Sequence, residues 1–148
     1  MLGSNSIIQE LRNYFCDCPL LKQGKIGVDY LGAVATEYSI NPEPCTPVIK
    51  QYTDGDTLRQ YQFSFMSVEY YSSDAIENIE NSGFYEKFAE WIEQQDDLGN
   101  LPEIPGIQSL EVLSSAYLFT ADAKTARYMI QCRITYLNKG GSLIWKDL

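Results

Sequence analysis

Ala126-Arg-Tyr-Met-Ile-Gln-Cys-Arg-Ile-Thr-Tyr-Leu137 alternates along its length. Tyr128, Ile130, Cys132, Ile134 and Tyr136 fall on one side; Arg127, Gln131, Arg133 and Thr135 fall on the other. Strand side chains point to opposite faces with a period of two, so this stretch is a strand with one apolar and one polar face. Cys132, on the apolar side, counts as a small hydrophobe. Asp122-Ala-Lys-Thr125 before it has turn composition, and residues 110–121 form another strand-like run. Together they predict a long hairpin.

Working outward, residues 58–71 read as a long strand whose pattern changes phase. Tyr61, Phe63 and Phe65 lie on one side, whereas Met66, Val68 and Tyr70 continue on the other. Strict alternation makes such a switch either a bulge or burial on both faces. A strand of this length is also a candidate to reach beyond its own sheet. Between the long strand and the hairpin, residues 74–97 are helical. Asp74-Ala-Ile-Glu77 has capping-box form, Asn81-Ser-Gly83 is expected to interrupt the helix, and Phe84, Phe88, Trp91 and Ile92 recur at helical spacing as a core stripe. Gly99-Asn-Leu-Pro102 to Gly106 is a loop.

Toward the N-terminus, Ile7, Ile8, Leu11, Tyr14 and Phe15 mark one face of a helix over 4–16, capped by Ser4 or Ser6 and ended by Pro19. Short strands are predicted at 25–30 and 36–40, joined through Gly32-Ala-Val-Ala35. Asn41-Pro-Glu-Pro-Cys-Thr-Pro47 is predicted to be a loop, because proline cannot donate to a ladder. An edge strand follows at 47–52, and Thr53-Asp-Gly-Asp56 is a tight turn. The expected architecture is one α+β domain over 1–138, with an antiparallel or mixed sheet and helices on one face. Residues 139–148, Lys-Gly-Gly-Ser followed by Leu-Ile-Trp-Lys-Asp-Leu, are expected to form a flexible tail with Trp145 as an anchor.

Composition narrows the function. The 148 residues are 45% hydrophobic and 21% charged, a globular balance for a chain of single-domain length. No histidine is present, so catalysis through Ser-His-Asp or Cys-His and zinc sites with histidine ligands are excluded. Cys16, Cys18, Cys45 and Cys132 lack zinc-ligand spacing. No phosphate loop, dinucleotide fingerprint or nucleophile elbow occurs. The chain is therefore read as a non-enzyme, with no catalytic, cofactor-binding or metal residue to name. Neither a signal peptide nor an apolar run of membrane-spanning length is recognised, and cytoplasmic synthesis is expected.

The formal charge is −9, which argues against sequence-specific nucleic-acid binding. Residues 69–97 hold nine acids against one base, Lys87, and so carry −8 of that total. Arg59, Arg127 and Arg133 are expected together on the outward face of the sheet. If Glu86, Glu90 and Glu93 of one subunit meet these arginines on the next, opposite potentials would orient the contact. Arg133→Glu would then weaken assembly and leave the fold intact. The high tyrosine count, 11, suits protein interfaces.

Several segments, in order, resemble a known set. They are Leu11-Arg-x-Tyr-Phe15 with Cys18-Pro-Leu-Leu21, Val28-Asp-Tyr-Leu-Gly32, Thr36-Glu-Tyr-Ser-Ile40 and Asn81-Ser-Gly-Phe-Tyr-Glu86 with Phe88-Ala89 and Trp91. Gly99-Asn-Leu-Pro102, Tyr117-Leu-Phe119 with Ala121-Asp122, Thr125-Ala-Arg-Tyr128 and Ile130-Gln-Cys-Arg133 continue the series. Over residues 7–137 the chain resembles the minor capsid or tail-terminator-like family of the head–tail gene cluster in phages and prophages of Gram-positive hosts. The resemblance implies a structural virion protein, assembled in the bacterial cytoplasm as a ring of copies at the head–tail junction. Its implied partners are the tail tube and head connector, with no membrane partner and no cofactor. A ring that DNA traverses calls for an acidic or neutral bore. The alternatives are a head-completion or minor capsid component, and an acidic adaptor that binds a basic protein.

Overall fold

Two strands that are far apart in sequence form the centre of the molecule. In the computed structural model, β4 (Thr57–Tyr70) pairs antiparallel with β6 (Thr125–Asn138) over its full length, from Thr57↔Asn138 to Tyr70↔Thr125. The structure describes residues 6–21, 26–29, 31, 37–70, 75–122 and 124–139. Around the central pair, β1 (Ile26–Val28), β2 (Tyr38–Glu43) and β5 (Ile107–Ala121) complete the order β1-β2-β4-β6-β5, and β3 (Val48–Gln51) joins β4 beside β2. Among the described residues only the β1–β2 pair is parallel, so the six-stranded sheet is mixed. Helices α1 (Ile7–Cys16) and α2 (Ala75–Leu98) pack against it, and the fold is α+β.

The alternation seen in β6 carries through the sheet. Tyr128, Ile130 and Cys132 stand opposite Ser67, Phe65 and Phe63, and this set faces the helices. The core beneath them is aromatic. Phe15 of α1 lies 5.9, 5.8 and 5.7 Å, ring to ring, from Phe63, Phe65 and Phe88. Phe65 and Phe88 are 4.6 Å apart, within the range of favourable aromatic pairs.

The phase change in β4 has no bulge behind it, since its register with β6 runs unbroken. Both faces are buried instead: Phe63, Ser64 and Phe65 are all fully covered. On the face away from the helices, Ser64 donates to the Glu43 carboxylate at 2.8 Å, and Ser39 donates to Asn41 at 2.7 Å. Nor does β4 reach past its own sheet, because β6 matches it end to end. The irregularities fall in β5, where the register shifts four times, and in β3, between Val48 and Lys50.

Two segments differ from expectation. The proline-rich stretch is not all loop: β2 continues through Pro42 to Glu43, opposite Phe63 and Gln62. Its other neighbour, β1, pairs only as far as Ile40. Pro42 therefore sits where β2 has become an edge, and no ladder donor is required of it. Helix α2 is likewise continuous through Asn81-Ser82-Gly83. Asn81 is buried and donates to the Tyr70 carbonyl at 2.8 Å, which ties the helix to the end of β4. Packing of Tyr85, Phe88 and Ile92 outweighs the roughly 1 kcal/mol that a mid-helix glycine costs.

A Cβ at Gly83 would meet nothing within 4 Å. Gly83→Ala is thus expected to raise stability by about 0.5–1 kcal/mol, read as an upward shift of the urea midpoint at unchanged slope. A shift downward would show that Gly83 is needed for more than the backbone path.

Other elements agree with the sequence. Ser6 caps α1 by accepting from the Gln9 amide. Gly55, at φ +95°, completes the turn between β3 and β4. Helix α2 ends in a Schellman arrangement: Asn100 N–H donates to the Gln95 carbonyl, Gly99 N–H donates to that of Asp96, and Gly99 has φ +73°. Ser4, the 32–35 connection and Trp145 lie outside the described residues.

Candidate functional site

A concave surface lies between α2 and the distal half of β5. It is a groove of about 680 Å³, lined on the helix side by Glu86, Ala89, Glu90 and Glu93, and on the sheet side by Ala116, Leu118 and Tyr128. Its origin is the path of α2. The helix starts near the end of β4, where Asn81 holds Tyr70. It runs beside β5 and ends where the Asp96 carboxylate accepts the Leu110 amide at 2.9 Å.

Large apolar side chains of β5 are exposed here, Leu118 on the helix side opposite Tyr128 and Tyr117 on the other side, where its hydroxyl meets the Met129 sulfur. Leu113, Tyr117, Leu118 and Phe119 are 41, 44, 44 and 54% exposed. The register shifts in β5 interrupt the alternation here, so consecutive apolar residues cannot all turn inward. The sequence carries the signal, since Tyr117-Leu-Phe119 is a run of three large apolar residues in an otherwise alternating strand. By sequence the run enters only through the family resemblance; the surface it makes emerges from the structure.

At the floor, Tyr85 is fully buried, and its hydroxyl shares a hydrogen bond with Ser67 at 2.5 Å. Burial pushes its pKa well above the usual phenol range, so it remains a neutral anchor. The buried thiols are equally inert: burial raises Cys18, and raises Cys132 to about 12. Among the described residues, no three cysteine, aspartate or glutamate side chains converge on a point that could hold a metal. The groove sets an acidic wall beside apolar side chains.

The acidic residues named from sequence do meet: Glu86, Glu90 and Glu93 share one wall. The arginines do not form one patch. Arg127 and Arg133 stand opposite Val68 and Gln62, on the face away from the helices. Arg59 stands opposite Tyr136, on the helix-facing side, with its Nε donating to the Thr57 hydroxyl at 3.1 Å. The expectation of one arginine face fails on strand parity, because residues 59 and 62 are an odd number of positions apart.

Arg133 is engaged within its own chain. Its guanidinium forms a salt bridge with Glu111 at 3.3 Å and donates to the Gln60 side-chain oxygen at 3.2 Å. Arg133→Glu would put two carboxylates opposite each other on paired strands, which is unfavourable within the subunit. The variant therefore perturbs the sheet as well as any contact. Lys139, at the start of the C-terminal segment, reaches Asp56 at 3.3 Å; residues 140–148, Trp145 included, are outside the described set.

In comparisons with known proteins, no family model matches this chain and no curated protein matches it.

Proposed function

We propose that this chain is a structural phage or prophage protein, a tail-terminator or tail-completion subunit that works by assembling as a ring at the head–tail junction. The observation that carries the reading is the exposure of large apolar side chains along the edge strand β5, Leu118 beside the acidic wall of α2 and Tyr117 on the other face of the sheet. Large apolar residues exposed beside charged ones mark protein contacts. The ordered segments over residues 7–137 that resemble the tail-terminator-like family give that contact its setting.

A closed ring requires two different surfaces, one on each side of the subunit. Glu86, Glu90 and Glu93 lie on the helix side, and Arg127 lies on the opposite face of the sheet. That separation suits a head-to-tail arrangement of copies. Charges at a contact rim act mainly on encounter rate and salt dependence.

Sedimentation velocity of the full chain, followed by electron microscopy with purified tail tubes, tests the proposal. Closed oligomers, alone or on tube ends, are the expected result. Arg127→Glu should slow their formation with no loss of fold by circular dichroism. A chain that stays monomeric under all conditions and never decorates a tube would refute the ring.

A further inference from the structure

Among the described residues, the helices leave part of this sheet exposed. Helix α1 is joined to α2 through the contact of Phe15 with Phe88 and Trp91, and α2 leaves the sheet's apolar side open at Leu118. We infer that the groove between α2 and β5 is a docking site for a basic amphipathic helix of another protein. This inference goes beyond the ring; because a neighbouring copy in the ring would use the same Glu86–Glu93 wall, the two contacts are alternatives at this surface.

Charge complementarity identifies the occupant. Glu86, Glu90 and Glu93 recur at intervals of four and three, so they form one stripe along α2. Successive steps along that stripe are about 6 and 4.5 Å at 1.5 Å per residue. A neighbouring helix with Lys or Arg at the same intervals matches them. A strand matches poorly, because its same-face residues recur every 6.7 Å or so. The sheet-side wall, Ala116 and Leu118 with Ala89 beside them, is apolar, so the occupant must present an apolar face next to its basic one. A metal ion is the wrong occupant, since the acids do not converge among the described residues. A phosphate-bearing ligand would be repelled.

The occupant is also not a helix of a second copy. Helix α1 has one base, Arg12, and α2 has one, Lys87; neither has a basic stripe. Among the described residues no helix of this chain matches the groove, and the proposed occupant is a helix of a different polypeptide, recognised in the helix-in-groove mode.

A fluorescein-labelled 18-residue amphipathic peptide of leucine and lysine serves as the probe, with binding to the full chain read by fluorescence anisotropy in physiological salt. Saturable 1:1 binding is expected. The combined change Glu86→Lys, Glu90→Lys and Glu93→Lys should weaken it at least about tenfold, and Leu118→Asp, at a half-exposed site, should weaken it separately. A control reversing the exposed acids Asp17, Asp54 and Glu103 should leave it nearly unchanged. Absence of binding overturns the proposal. So does an equal loss in the control, which would mean attraction to net charge alone, or an unaffected Leu118→Asp variant, which would mean the apolar wall is idle. Circular dichroism verifies each fold, and sedimentation of the same samples reports self-assembly independently of the peptide.

Discussion

Phe15→Ala is expected to remove about 3–5 kcal/mol of stability, the range for deleting a fully buried aromatic ring. Phe15 has no exposed surface and is ringed by Phe63, Phe65, Phe88 and Trp91, all with centroids within 6.1 Å. It is the residue through which α1, α2 and the sheet meet. No nearby side chain can fill the void without leaving its own contacts, so the cavity contribution should be large. Urea unfolding followed by circular dichroism measures the loss. Trp91 supplies a local probe, because its ring stacks against Phe88 at 6.5 Å and lies beside Phe15; its emission should move to longer wavelength as α1 loosens. A cost below about 1.5 kcal/mol, the size of an ordinary surface-to-boundary change, would mean that α1 is not held through this ring.

The second large effect concerns a backbone contact. Gly106 has φ +76°, and a Cβ there would collide with the carbonyl of Leu137. The two residues are also bonded, with Leu137 N–H donating to the Gly106 carbonyl at 2.8 Å. Gly106→Ala therefore adds a steric clash to the strain of a left-handed alanine and is expected to cost about 3 kcal/mol or more. Gly99 provides the control. It has φ +73°, and a Cβ there would meet nothing within 4 Å, so Gly99→Ala should cost only the conformational part, about 1–2 kcal/mol. Chemical denaturation of both variants separates the two contributions. Equal losses would show that the close approach of Leu137 relaxes freely.

The sequence makes the sheet legible wherever one face is polar. The alternation from Tyr128 to Tyr136 assigns the faces of β6, and the same reasoning finds β3, the turn at Gly55 and the glycine end of α2. It fails where tertiary context overrides local preference. Pro42 reads as a strand breaker until the neighbouring strand is known to stop at Ile40. Asn81-Ser82-Gly83 reads as a break until Asn81 is seen to bind the end of β4. Arg59 groups with Arg127 and Arg133 only while charge is counted without strand parity; pairing puts it on the other face. Of the proposed contact surface, the acidic stripe is visible in spacing alone. The exposed apolar residues of β5 are not, because the register shifts along that strand leave no mark that a period-two reading detects.

The pairing of β4 with β6 also bears on how the chain matures. Tyr70 and Thr125 are 55 positions apart, and Thr57 and Asn138 are 81 apart. Contacts this distant along the chain slow folding, because loop closure must precede any reward from the pairing. Until the last strand is synthesised, one whole edge of β4 lacks its partner, while Phe63 and Phe65 have already emerged. The nascent polypeptide thus passes through a vulnerable interval during which a stray strand can take the place of β6. Slow production at low temperature should accordingly raise the yield of correctly folded protein more than any change to its surface.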